Sequence, residues 1–185
     1  MSLLFFQRML ANPFRVGYVV PSSPFLTRQT ARTLDFSSPR VVVELGPGEG
    51  CHTRQIIRRM CPQSRLVLLE LDQEFVKHLR KQFAGDPRVT VLHADARHLA
   101  RELAATGVQR CDYIVSGLPF FLISQPLKGE LLDAIAGCMD ERTRFVTYQV
   151  SLQLATEENH FALARRQYCP LNIPPINILE FQKSG

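Results

Sequence analysis

The sequence predicts a single α/β domain built on a mostly parallel, seven-stranded sheet with helices on both faces, closed by an antiparallel hairpin. Three observations predict it. Strand-sized apolar runs alternate with helix-sized stretches along most of the chain. The runs are continuously apolar, as strands buried on both faces are. Beyond Tyr148 the alternation stops, and two strand-like runs follow one another.

Taken in order, Leu3–Ala11 has the pattern of a short helix closed by Asn12-Pro13, and the loop Val19–Pro24 leads to a second helix near Phe25–Leu34. Strands are expected at Val41–Leu45, Leu66–Glu70, Val89–Leu92, Tyr113–Ser116 and Phe145–Tyr148. Helices are expected at Thr53–Met60, Gln73–Phe83, Arg97–Ala105 and Leu127–Met139. Right-handed crossovers then distribute these helices over both faces. Phe161–Arg166 and Ile176–Phe181 supply the hairpin, joined through the Pro-rich stretch 170–175. The whole chain, 1–185, reads as one domain: residues 1–36 form N-terminal helices suited to a membrane or substrate lid, and 41–182 form the core.

Composition bounds the setting. With 185 residues and 45% hydrophobic content, the chain can bury one full core. No apolar stretch approaches the roughly 20 residues that span a bilayer. The N-terminus lacks a basic segment ahead of an apolar core, so no signal peptide is expected. Cys51, Cys61, Cys111, Cys138 and Cys169 include no C-x-x-C pair, which argues against a zinc site or a disulfide framework and fits a reduced, cytoplasmic setting. The net charge is +5, with 18 arginines against 4 lysines. Arginine's planar fork grips phosphate, and a basic surface suits nucleic acid or an anionic membrane. Arginine-favouring codon usage explains the same bias, so composition alone does not choose.

The chemistry begins at Glu44-Leu45-Gly46-Pro47-Gly48-Glu49-Gly50, between an apolar strand and a helix. Gly46 allows the sharp turn, and Gly48 lets backbone approach a ligand closely. The helix that follows points free N–H groups toward it. The spacing is G-x-G-x-G, unlike the G-x-G-x-x-G of dinucleotide sites. Glu44 is misplaced for a pyrophosphate but can attract the α-ammonium of a methionine moiety. The second strand ends in Glu70, where a carboxylate can accept ribose hydroxyls, with Asp72 as the N-cap of the next helix. Asp95, after the third strand, either holds an adenine amino group or caps the helix beginning near Arg97.

The fourth strand leads into Ser116-Gly117-Leu118-Pro119-Phe120, which looks like the N-L-P-Y or N-P-P-F loop of methyltransferases that act on amines. With Glu44–Gly50, Glu70 and Asp95, this loop resembles a class I S-adenosylmethionine-dependent methyltransferase over about Val41 to Tyr148. The resemblance implies a Rossmann-like fold, S-adenosylmethionine as cofactor, S-adenosylhomocysteine as product, and no metal. It implies a cofactor site formed by Ser22, Ser23, Glu44, Gly46, Gly48, Gly50, Glu70, Leu71, Asp95, Ala96 and Ser116.

Two branches compete. The segments Phe5-Phe6, Asn12-Pro13 and Val16–Pro24 are similar to bacterial phospholipid N-methyltransferases, of the kind acting on phosphatidylethanolamine, as are Ser116–Pro119 and Asn172-Ile173-Pro174-Pro175. Ribosomal RNA adenine dimethyltransferases begin with a G-Q-N-F-L-like segment, which is absent, although Gln149–Ala155 resembles their E-V-A-x-R-L-A helix. An asparagine at the head of the loop accepts a hydrogen from a planar exocyclic amine, and the aromatic residue stacks on the base. Here Gly117 leaves only backbone carbonyls at Ser116–Leu118, with Phe120 as an apolar wall, which suits an aliphatic amine better.

Leu3, Phe6 and Leu10 share one helical face, which either lies in a membrane interface with Arg8 and Arg15 near lipid phosphates or packs on the sheet. Tyr18 and Tyr148 are the candidates for headgroup contact, or else core-edge tyrosines. The expected chemistry is in-line methyl transfer to a neutral amine, at an anionic membrane on its cytoplasmic side; RNA adenine methylation and a non-catalytic binding module are the alternatives. His52 reads as a solvent-facing helix position rather than a base.

Overall fold

A computed structural model describes residues 22–157 and 159–184, so the expected helix Leu3–Ala11 and Tyr18 lie outside the described residues. Helix α1 (Pro24–Thr33) starts where Ser23 Oγ accepts the Leu26 N–H at 3.1 Å and Pro24 fills the first turn, where a missing N–H does no harm. Strands β1 (Val41–Leu45), β2 (Arg65–Glu70) and β3 (Val89–His93) alternate with α2 (Cys51–Ile57) and α3 (Gln73–Phe83). A 3-10 turn (Ala96–His98) and α4 (Leu99–Ala105) precede β4 (Tyr113–Ser116). Then come α5 (Gln125–Gly137), β5 (Arg144–Gln149), the short α6 (Gln153–Thr156), β6 (Phe161–Cys169) and β7 (Ile176–Lys183).

These strands form one seven-stranded sheet in the order β3-β2-β1-β4-β5-β7-β6. The first five are parallel; β7 runs antiparallel to both β5 and β6. The predicted architecture is therefore observed. Alternation along the strands divides the core between the two faces. Val42, Leu66, Leu68 and Val146 point toward α1, α2 and α3, meeting Leu26, Ile56 and Leu79. Val43, Val67, Ile114 and Phe145 meet Leu99, Leu103, Leu132 and Ile135 of α4 and α5. The central strands carry apolar residues on both faces, which is why they read as unbroken runs.

Where boundaries differ, local physics explains it. Helix α2 begins earlier than expected because Gly50, at φ 74°, turns the chain straight into it. The expected helix from Arg97 is divided, since Asp95 caps a 3-10 turn before α4 begins. Strands β6 and β7 run past Arg166 and Phe181, because ladder pairing continues at both ends of the hairpin, through Tyr168 opposite Asn177 and Cys169 opposite Ile176 at one end and Lys183 opposite Phe161 at the other. The Gln149–Ala155 stretch is not one helix: it ends β5, turns, and enters α6.

Phe145 anchors the far face. It is fully buried, with ring centroids 6.1 Å from Phe120, 5.1 Å from Phe161 and 5.8 Å from Phe181. Replacing Phe145 with Ala should destabilise the protein by about 3–5 kcal/mol, through lost burial and the cavity left behind. Urea unfolding measures this; a loss below about 1 kcal/mol would show that the hairpin does not lock onto the parallel sheet through this ring.

Candidate functional site

The carboxyl ends of β1, β2, β4 and β5 converge at one edge of the sheet, and the residues singled out above gather there. After β1, Gly46, Gly48 and Gly50 all adopt left-handed backbone, at φ 67°, 55° and 74°. Gly46 has a second reason to lack a side chain, since a Cβ would lie 3.0 Å from Leu118 Cδ2. Gly48 faces open space, with nothing within 4 Å of an added Cβ. The loop is pinned from β2: Glu70 Oε2 accepts the Gly48 N–H at 3.0 Å, while Oε1 accepts those of Leu71 and Asp72 at 2.9 Å each. Burial pushes the Glu70 carboxyl pKa above its usual value, against the pull of these three N–H donors.

Glu44 lies deeper, 1% exposed. Its Oε2 accepts the Thr53 hydroxyl at 2.7 Å, and its Oε1 is buried with no hydrogen-bond partner. Burial, aided by the nearby Glu70 charge and opposed by the Thr53 bond, pushes its pKa up to about 7. Thr53 went unremarked in the sequence. Its signal was spacing, because 52, 53 and 56 are the buried positions of α2.

His52 corrects an expectation. It is 4% exposed rather than solvent-facing, and its ring stacks on Tyr148 with centroids 4.0 Å apart and planes 6° off parallel. Neither ring nitrogen has a hydrogen-bond partner, and burial pushes its pKa down to about 3. The imidazole is therefore a neutral, apolar-packed ring in the second layer of the site. Its i, i+4 relation to Ile56 was the sequence signal for a buried face.

The loop after β4 is held from β5. The Thr147 hydroxyl donates to Ser116 O at 3.1 Å, and Gln149 Nε2 donates to Leu118 O at 2.8 Å. Ser116 Oγ accepts the Leu118 N–H at 3.2 Å. Of the three carbonyls expected to face an amine, these bonds leave that of Gly117. Tyr148 lies against Gly117 so closely that a Cβ there would stand 2.3 Å from the tyrosine hydroxyl. Burial pushes the Tyr148 pKa up, and the Glu44 charge adds to this. Phe120, expected as an aromatic wall, is instead turned into the core, 1% exposed and edge-on to Phe145. The 3-10 turn Phe120–Leu122 swings the ring inward.

Other residues fall at the margin. Asp95 caps its turn, accepting from Arg97 N at 2.9 Å and from Arg97 Nη2 at 2.7 Å. Burial raises its pKa, but the Arg97 bonds outweigh that and hold it below the usual carboxylate value. Ala96 begins that turn, and Leu71 donates to Glu70. Ser22 is half-buried, while Ser23 spends its hydroxyl on capping α1 and gives its N–H to Asn172 Oδ1 at 2.9 Å.

A family model described as ribosomal RNA adenine dimethylase matches residues 21–169. The chain is 35% identical, over 71% of its length and 69% of the relative's, to an ornithine lipid N-methyltransferase from Singulisphaera acidiphila. It is 33% identical to a ribosomal RNA small subunit methyltransferase A from Parasynechococcus marenigrum, over 54% of this chain but only 30% of that one. Among solved structures, TrmN from Thermus thermophilus superposes with a TM-score of 0.71 at 19% identity, covering 86% of this chain and 48% of that one. A Burkholderia thailandensis 1,6-didemethyltoxoflavin-N1-methyltransferase, solved with bound S-adenosylhomocysteine, gives 0.70 at 15% identity, covering 100% and 92%.

Two buried groups make opposite contributions to stability against pH. A carboxyl with a raised folded pKa stabilises below its unfolded value, near 4.5, and loses that contribution as pH rises through about 7; Glu44→Gln should flatten this decline. A histidine with a depressed folded pKa stabilises above about 6.5 and loses that contribution as pH falls toward 3; His52→Phe should make the protein more acid-resistant. Chemical denaturation of both variants from pH 4 to 8 measures the slopes. Parallel curves for wild type and variants would show that neither group is buried in solution.

Proposed function

Because the chain belongs to the ribosomal RNA adenine dimethylase family and is an S-adenosylmethionine-dependent methyltransferase, we propose that it methylates the aliphatic amine of an aminolipid headgroup, working at the cytoplasmic face of an anionic membrane. The observation that carries this reading is the contact between Gly117 and Tyr148. A planar base amine needs a side-chain acceptor at the head of the loop and an exposed ring to stack on. Here the Tyr148 hydroxyl occupies the space of any Cβ at 117, and the Phe120 ring faces the core. What remains is a pair of point partners, the Gly117 carbonyl and the Tyr148 hydroxyl, which suit a tetrahedral nitrogen and ask for no stacking plane.

The residues at the sheet edge fit S-adenosylmethionine. The partnerless, buried Glu44 Oε1 suits an ammonium, and open space at Gly48 admits close approach. Glu70 has about four acceptor positions; its three bonds to backbone N–H groups leave capacity for one ribose hydroxyl rather than the pair first expected. Asp95, Ala96 and Leu71 would border the base and Ser22 and Ser23 the rim, while Ser116, fully buried, braces the β4 loop from beneath. When bound, the cofactor supplies an electrophilic methyl group. The chain's own part is positioning and exclusion of water. An alkylammonium, with a pKa of about 10.4, must lose a proton before it attacks. Tyr148, kept protonated by its raised pKa, acts as a hydrogen-bond partner rather than the base, so the proton leaves through water. Among the described residues no helix is long and apolar enough to cross a membrane.

The test is labelled S-adenosylmethionine offered with vesicles of ornithine lipid or phosphatidylethanolamine, and separately with ribosomal RNA. Label should enter lipid. Tyr148→Phe should lower kcat on lipid about tenfold, the worth of roughly one hydrogen bond, with cofactor affinity unchanged. Gly117→Asn should suppress lipid methylation because its side chain collides with Tyr148. Label in RNA adenine and none in lipid would establish the adenine reading, which the matching family description and the ribosomal RNA methyltransferase relative favour.

A further inference from the structure

The exposed apolar residues of this protein are not scattered. Among the described residues, the large hydrophobic side chains left in solvent are Phe25, Leu163, Tyr168, Leu171 and Ile173. Four of these belong to two neighbouring pieces of chain: Phe25 in the first turn of α1, and Tyr168 at the end of β6 with Leu171 and Ile173 in the connection to β7. Phe25 is 54% exposed, Tyr168 54%, Leu171 60% and Ile173 80%. Isolated exposed hydrophobics are ordinary, but a cluster of this kind marks an interaction surface.

Topology fixes where this cluster sits. Strand β7 is antiparallel to β5, with Asn177 opposite Gln149, so the connection 170–175 emerges at the carboxyl ends of the parallel strands. That is the edge holding the Gly46–Gly50 and Ser116–Phe120 loops. The connection is braced rather than loose. Asn172, 4% exposed, accepts the Ser23 N–H at 2.9 Å and donates to Pro174 O at 2.8 Å, joining the hairpin tip to the start of α1. Its neighbours Leu171 and Ile173 are held outward while Asn172 itself is buried. Between hairpin and helix lies a cleft of about 290 Å³, lined by Phe25, Leu171 and Pro170 together with Arg28 and Arg32, one helical turn apart. Neither arginine pairs with a carboxylate among the described residues.

We infer that this rim, Phe25 and Tyr168–Ile173 with Arg28 and Arg32, is a bilayer-docking surface that inserts its apolar tips beside anionic lipid phosphates and sets the catalytic edge against the membrane. Charge complementarity points to anionic lipid: two guanidiniums without a carboxylate partner line the same cleft as Phe25 and Leu171, and guanidinium grips phosphate. Side-chain chemistry points the same way. A nucleic-acid surface would use the arginines and stack on the two rings, but Leu171 and Ile173, the most exposed of the set, gain nothing from a hydrated phosphate backbone. They gain from the acyl boundary. The proposal rests on the aminolipid reading only for its biological sense, and its test is separate.

The probe is sedimentation with vesicles of pure phosphatidylcholine and of phosphatidylcholine containing anionic phosphatidylglycerol, neither bearing a substrate amine. Wild type should prefer the anionic vesicles, with binding that weakens as salt rises. The double variant Leu171→Ser with Ile173→Ser should bind both vesicle types at least tenfold less. Arg28→Gln with Arg32→Gln should abolish the preference for anionic lipid. Both should keep wild-type thermal stability and S-adenosylhomocysteine affinity, since the substituted side chains are exposed. Unchanged vesicle binding in both double variants overturns the proposal, as does a wild-type dimer that the serine variant dissolves, which would assign the rim to a second copy of the chain. Methylation of a monomeric short-chain aminolipid separates this from the functional reading. If that substrate is methylated while vesicle binding ignores the rim, docking fails alone. If vesicle binding depends on the rim while no aminolipid is methylated, the functional reading fails alone and the rim stands.

Discussion

Everything at this sheet edge depends on two carboxylates buried on neighbouring strands without a cation to answer them. Glu44, one residue before the end of β1, and Glu70, at the end of the adjacent parallel β2, are 1% and 4% exposed, and no ion pair engages either among the described residues. Taking unpaired carboxylates out of water is strongly unfavourable, and a folded chain keeps such groups only where their environment is over-determined. The surroundings answer in kind. Three backbone N–H groups converge on Glu70, a threonine hydroxyl answers half of Glu44, and the loop that brings Gly48 down to Glu70 needs left-handed glycines to make the descent. The unanswered half of Glu44 is the place where a cationic ligand would relieve the strain. Site and instability are one feature.

The second half of the edge is arranged by β5. Thr147, Tyr148 and Gln149 are consecutive, and each engages the β4 loop: the first and third through hydrogen bonds to its carbonyls, the second through contact with Gly117. The stack of Tyr148 on His52 ties that same strand back to α2, directly beyond the glycine loop. The glycine loop and the β4 loop are thus coupled through packed rings rather than through a flexible linker. The antiparallel return of β7 then brings the Asn172 brace and its exposed apolar tips to the same margin.

Much of this was legible in the sequence because it is local. Unbroken apolar runs of four to six residues can be read as doubly covered strands, and Glu44 and Glu70 stand out as charges at the ends of such runs. What was not legible depends on contacts across the fold. Tyr148 fills the space beside Gly117 although 31 positions separate them, so the missing side chain looked like vacancy when it is occupancy. Phe120 read as a wall because its neighbours in sequence form a loop, but the core offered it Phe145. A histidine at the head of a short helix read as exposed, since histidine seldom goes inside without a partner, and only the ring of Tyr148 explains why this one did.

If Glu44 receives the ammonium of S-adenosylmethionine, as proposed, binding must be linked to protons. With a pKa near 7 in the free protein, Glu44 is mostly protonated at pH 6, and it must ionise to pair with a cation. The ligand's own amine, with an ordinary pKa near 8, is fully charged there. Calorimetric titration at pH 6 in two buffers of different ionisation enthalpy should therefore show release of roughly one proton per cofactor bound. The release should shrink as pH rises past 7 and vanish in Glu44→Gln. Equal apparent enthalpies in the two buffers, with tight binding retained in Glu44→Gln, would contradict the account.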